Sequence, residues 1–173
     1  MLRLALLAVL VVLSTSVLAQ AQNSAPTHQH VPDNLIDGAL HPELVPDLTV
    51  YRLVLLAISK PPSPTDKQAK HQQAQLHAVG LQETDQKELI AILSNFNYEY
   101  RSLMLAYNAA ATAANARGER SEISYFLLER NQLVQSTHDK LRTALSVDGW
   151  TRFDAYAQGE KKHMKISAKE AKR

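Results

Sequence analysis

From Thr84 to Ala116 the chain reads TDQKELIAILSNFNYEYRSLMLAYNAAATAANA, with neither Pro nor Gly. Leu89, Leu93, Phe96, Tyr100, Leu103, Tyr107, Ala110 and Ala114 recur at alternating steps of four and three residues. That spacing puts all eight side chains on one narrow, coiled-coil-like seam of a helix. The every-second-residue alternation of a strand is missing. The helix would be about 48 Å long at about 1.5 Å per residue. A single apolar seam cannot be buried by its own helix, so this one needs neighbours.

The flanking sequence supplies them. A first helix is expected from Asp47, which can cap it, to Lys60, where Pro61-Pro62 stops it. Val50, Leu53, Val54, Ala57 and Ile58 form its stripe, and Leu55 and Leu56 widen it, so burial on most sides is expected. Ser63 is placed to cap a second helix, with Pro64 at the first position and Asp66 at the reciprocal capping position. It runs to Val79 and stops at Gly80. Its stripe of Ala69, Gln73, Leu76 and Val79 is thin, which predicts an edge position.

Thr84 or Asp85 would cap the long helix, with Glu88 favourable in its first turn, and Arg117-Gly118 marks its end. The next helix is expected over 121–145. Ile123, Leu127, Val134, Leu141 and Ala144 make its seam, with Phe126 and Leu133 beside them. Arg130 and Thr137 also fall on that seam. Arg130 is expected to snorkel to water rather than pair with a carboxylate such as Glu99. A short link between two long helices implies an antiparallel hairpin. After Ser146, a good cap, Val147, Trp150, Phe153, Ala157 and Met164 line a last helix, with Trp150 anchoring it to the hairpin and Gly159 weakening its end. The fold class read from this pattern is all-α, about five helices packed around a long antiparallel helical hairpin, with the helical domain spanning 46–166.

Both ends depart from the helical pattern. Arg3 followed by the apolar run from Leu4 to Leu13 and small residues at 17 and 19 reads as a signal peptide over 1–19. Cleavage would follow Ala19 or Ala21, and a retained anchor is the other reading. Ten apolar residues are short of the roughly 20 that span a bilayer. The expected location is periplasmic or secreted, and without a cysteine there is no lipid attachment there. Residues 20–45 are expected to be flexible or irregular. Within them His28 and His30 lack a third ligand, so a solvated tail is favoured over a metal site. Leu35, Ile36, Leu40, Leu44 and Val45 are apolar enough to lie against the body. Residues 160–173 carry six Lys or Arg and two Glu. This region, including the basic tail at 167–173, is expected to be solvated and fraying, with contact to anionic lipid or an acidic partner as the other reading.

Composition narrows the function classes. The chain has 173 residues, and a formal net charge of +2 is too small to suggest nucleic-acid binding. Without cysteine there is no disulfide, thiolate chemistry or Cys-based zinc site. Gly38, Gly80, Gly118, Gly149 and Gly159 all serve as turns, stops or helix ends, leaving none for a phosphate loop or nucleophile elbow. No two of the seven histidines sit at i, i+4. His138 and Asp139, being adjacent, are expected on different faces of their helix. The seams carry no inward carboxylate pair for acid–base work. The reading is therefore a non-enzyme, with no cofactor.

Two features suggest binding. Phe96, Tyr98, Tyr100, Tyr107, Tyr125 and Phe126 cluster on the hairpin, and core packing is expected for all but Tyr98. Tyr98 is off the seam, and beside Arg101 it forms a contact patch. The Ala-rich stretch Ala106–Ala116 would let helices approach closely, which is expected to serve packing within the hairpin. With Lys161, Lys162 and Lys165 of the basic end, Tyr98 and Arg101 are the candidate partner contacts. The expected partner is a protein or unfolded client. Membrane-surface contact through the tail and a homodimer are left open.

Leu145-Ser146-Val147-Asp148-Gly149, at a helix start, resembles the Leu-Thr-x-x-Gln repeat of extracytoplasmic helical proteins of the Spy/CpxP type, with Ser for Thr and Gly for Gln. Leu81 to Gln86 is a looser match with altered spacing. The resemblance implies ATP-independent chaperoning or envelope-stress sensing through a dimeric helical cradle, and no site residue carries over. The other readings are a structural or regulatory module docking on an envelope partner and a small-ligand or metal binder.

Overall fold

The computed structural model describes residues 35–61, 63–119 and 123–168. The leader, the segment with His28 and His30, Pro62, the link 120–122 and the last five residues lie outside them. Five helices follow one another: α1 (Asp47–Ile58), α2 (Asp66–Val79), α3 (Glu83–Ala116), α4 (Ile123–Ala144) and α5 (Val147–Glu160). The all-α expectation holds, with one small addition. A strand β1 (Leu35–Asp37) pairs antiparallel with β2 (Lys165–Ser167), Ile36 opposite Ile166.

Alongside the α3–α4 hairpin, α1 is the helix with the most neighbours. It packs against all four other helices. Val50, Val54, Leu55 and Ile58 are buried, as are Thr49, Tyr51 and Arg52, while Ala57 of the expected stripe is exposed. Such a helix is covered on most sides, which is why its apolar residues exceed one stripe. Around it lie Leu89, Leu93 and Phe96 of α3, Val134 and Leu141 of α4, and Phe153 and Ala157 of α5. Full burial of a Leu or Phe contributes about 1.5–3 kcal/mol.

Two helix starts differ from expectation. Thr65, not Ser63, caps α2. Its Oγ1 accepts from the Gln68 amide while Gln68 Oε1 accepts from the Thr65 amide, a complete capping box that Pro64 precedes. On α3 neither Thr84 nor Asp85 is the cap, since the helix begins at Glu83 after Gln82. Asp85 instead reaches across to α5. Its carboxylate is buried and accepts from the Ser146 amide at 2.8 Å and from the Ser146 hydroxyl at 2.5 Å. Ser146 Oγ in turn accepts from the Gly149 amide at 3.0 Å. These bonds hold the Asp85 carboxyl below its ordinary value, the Ser146 hydroxyl contributing most. A Cβ at position 149 would stand 2.2 Å from Asp85 Oδ2, so only Gly fits there.

Trp150 sits edge-on to His138 of α4, with ring centres 5.0 Å apart, and stacks at 6.5 Å on Tyr51 of α1. It fastens α5 to both. Val147, expected on the inner side, is exposed, and Met164 lies beyond the helix. Arg130 is buried and gives Nε and Nη2 to Asn131 Oδ1, so it does not snorkel. His138 and Asp139 do meet, Nδ1 to Oδ1 at 2.9 Å, despite their adjacency.

The ends of the helical body are also more ordered than expected. Val45 and Ile166 are buried, and Gly38 donates its amide to the Met164 carbonyl at 2.8 Å. Lys161 pairs with Asp47 at 2.6 Å and Lys165 with Asp37 at 3.1 Å. Residues 35–45 are therefore not a loose segment, and the basic end as far as Ser167 is not a fraying tail. Leu40 and Leu44, by contrast, stay exposed.

Candidate functional site

The seam of α3 is buried at Leu89, Leu93 and Phe96, half-buried at Tyr100, Leu103 and Tyr107, and exposed at Ala110 before Ala114 is covered again. Among the described residues, no member of the core lies beyond Tyr100 on α3 or before Leu133 on α4. The rest of the hairpin is a two-helix arm, held by contacts such as the Tyr107–Phe126 stack at 4.4 Å. Most of Ala106–Ala116 is exposed, so these small side chains do not serve close packing within the hairpin as expected. Tyr125 is exposed as well, contrary to its assignment to the core, and its hydroxyl bonds Glu129, which raises its pKa.

The main neighbours of α2 are α1 and α5, not α3. The gap this leaves along α3 is a groove of about 780 Å³. Its α3 wall is a second stripe, Ile90, Ser94, Tyr98, Arg101 and Leu105, at steps of four, four, three and four. Tyr98 is 75% exposed and Leu105 69%, large values for apolar or aromatic side chains in a helical body. Leu76, Gln72 and Gln73 of α2 form the opposite wall, and Lys60 and Pro61, just past α1, also line it.

The exit of α1 is held from both sides of the groove. The last carbonyls of a helix have no partner within it. Here Gln72 Nε2 of α2 donates to the Ile58 carbonyl at 3.0 Å, and Asn97 Nδ2 of α3 donates to the Lys60 carbonyl at 2.5 Å. The two bonds fix the exit of α1 between α2 and α3 and bring Lys60 to the same groove as Arg101. Among the described residues neither cation is in an ion pair, and no carboxylate lines the groove. The arrangement is an apolar floor with amide and hydroxyl groups and two available positive charges. It can bind, but it holds no nucleophile–base pair.

Of the residues singled out from sequence, Tyr98 and Arg101 come together here. Lys161 and Lys165 do not line the groove and are paired with Asp47 and Asp37, while Lys162 is exposed. Lys60, Ile90 and Leu105 were not singled out, although the second stripe on α3 was readable in the spacing. A shallower depression of about 730 Å³ between α3 and α4 is lined by Glu88, Ile92, Asp139 and Lys140. No three His, Asp or Glu among the described residues are grouped to hold a metal. No described helix is long and apolar enough to cross a membrane. No family model matches the chain, and no curated protein or solved structure matches it.

Proposed function

We propose that this chain is an exported, non-enzymatic helical binding protein that holds a segment of a protein partner in the groove between α2 and α3. The observation that carries the reading is the exposed Tyr98–Arg101–Leu105 stripe facing an open groove that no other described helix fills. Exposed apolar and aromatic side chains gathered in one trough, with cations at the rim, suit protein contact better than solvent. Export rests on the leader pattern of Met1–Ala19.

Chaperone-like action, as in the Spy/CpxP type, is the broader form of this reading. Docking on one envelope partner is the narrower form, and the confined groove favours it. Aggregation of chemically unfolded reporter proteins, followed by light scattering without nucleotide, tests the reading. Suppression at molar excess that is weakened by Tyr98→Asp with Leu105→Asp is expected for a client-holding groove. Unchanged suppression by that double variant would place any holding activity elsewhere and overturn the assignment.

A further inference from the structure

We infer that the occupant of the α2–α3 groove is an amphipathic helix with an apolar ridge and acidic flanks, supplied by a partner protein. This rests on the binding reading above and adds the chemistry of the partner. Three observations point the same way. The groove lies where a neighbouring helix of a bundle would pack, because α2 leans on α1 and α5 and leaves one side of α3 uncovered. The exposed stripe from Ile90 to Leu105 covers four turns, about 22 Å at about 1.5 Å per residue, the reach of a helix reading anchors at i, i+3/i+4 and i+7. The charges are of one sign: Lys60 and Arg101 line the same groove, without an ion-pair partner among the described residues, and no carboxylate among those residues lines the trough.

Such a rim discriminates by sign. Carboxylates on the flank of an incoming helix would meet Lys60 and the fork of Arg101, while ammonium groups there would be repelled. The apolar ridge would cover Ile90, Tyr98 and Leu105, the side chains that water now reaches. Gln73 and Ser102 on the walls offer hydrogen bonds to the polar edge of the same helix.

The test uses the full chain and three fluorescent synthetic peptides of about 16 residues, each helical with a Leu ridge and with Glu, Gln or Lys on its flanks. Anisotropy titrations at low salt should give the Glu peptide an affinity at least tenfold above the Lys peptide, with the gap shrinking as salt screens the rim. Lys60→Glu with Arg101→Glu should reverse the order. Leu105→Asp should weaken all three peptides, and because Leu105 is largely exposed the fold should survive, as circular dichroism would verify. Equal binding of the three peptides would overturn the acidic-flank assignment and leave the groove as a general docking site. Failure of all three to bind would overturn the docking reading itself. Displacement of the Glu peptide by oleate, at a lower concentration than by unlabelled peptide, would mark the groove as a site for acyl chains and overturn the helix assignment.

Discussion

Gly149 and Asp85 act as one unit. The Asp85 carboxylate occupies the space a Cβ would need and accepts both hydrogens that Ser146 offers. Gly149→Ala should therefore destabilise the protein by about 1–3 kcal/mol, the range for overpacking. The penalty should shrink in an Asp85→Ala background, because the clashing atoms are gone. A double-mutant cycle on thermal melts measures that coupling, and additive effects would contradict the clasp. The same residue gives a pH prediction. Asp85, Asp37 and Asp47 all have folded-state values below the ordinary 3.8, held down chiefly by Ser146, by the Ala39 amide and by Lys161 respectively. Groups lowered in this way contribute stability that is present above the unfolded value and lost as pH falls through the folded one. Denaturant titrations should show stability declining below about pH 4. Asp85→Asn should be less stable than the parent at pH 7 and approach it in strong acid. Ser146 was legible as the cap of α5, but the role of Asp85 was not, since in sequence it reads as a cap for its own helix. Local spacing names the nearest helix start, and only the fold decides which start the side chain reaches.

At the scale of elements, periodicity did most of its work on helix existence. The seam of α3 and the breaks at Gly80 and Gly118 located α2, α3 and α4 within a few residues, because a 3.6-residue repeat and a left-handed stop are local properties, and Pro61-Pro62 and Ser146 did the same for the end of α1 and the start of α5. It also ranked one of them: α1, the shorter helix with the wider apolar band, was expected to be buried on most sides and packs against the four other helices, while the long seam of α3 drew attention to the hairpin. Band width, not length, reports how many neighbours a helix has. The same distinction predicts unequal stability along the hairpin. Residues 85–96 and 133–145 pack into the core, but among the described residues the arm beyond Tyr100 contributes nothing to it. Hydrogen exchange should be faster in 103–114 and 124–129 than in the inner halves of the same helices, and uniform protection along α3 would contradict a two-helix arm. The groove was half legible. Tyr98 and Arg101 stood out by leaving the seam, while Lys60 could be placed in the same groove only once Gln72 was seen to cap α1 and Asn97 to hold the Lys60 carbonyl.

Over the whole molecule, the two ends of the described chain are joined. The β1–β2 ladder, buried Ile166 and the pair Lys165–Asp37 fasten the segment after α5 to the segment before α1, and Lys161–Asp47 fastens it to the first residue of α1. A charge count alone reads that basic end as solvated, since it cannot show that two of its lysines face specific carboxylates. Removing residues 161–173 should lower stability by at least the roughly 2–3 kcal/mol expected from exposing Ile166 and its neighbours. A melting temperature unchanged by the truncation would show the end to be dispensable. With its ends tied and its core built on α1, the body presents the α2–α3 groove on a fixed frame, and the account of function depends on that groove being where a partner lies. Methyl-resolved NMR of the full chain, titrated with the Glu-flanked helical peptide, tests this most directly. The account predicts shifts concentrated at Leu76, Ile90, Leu93 and Leu105, with Leu141 and Ile166 unmoved. Shifts centred on the β1–β2 end or spread evenly over the core would contradict it.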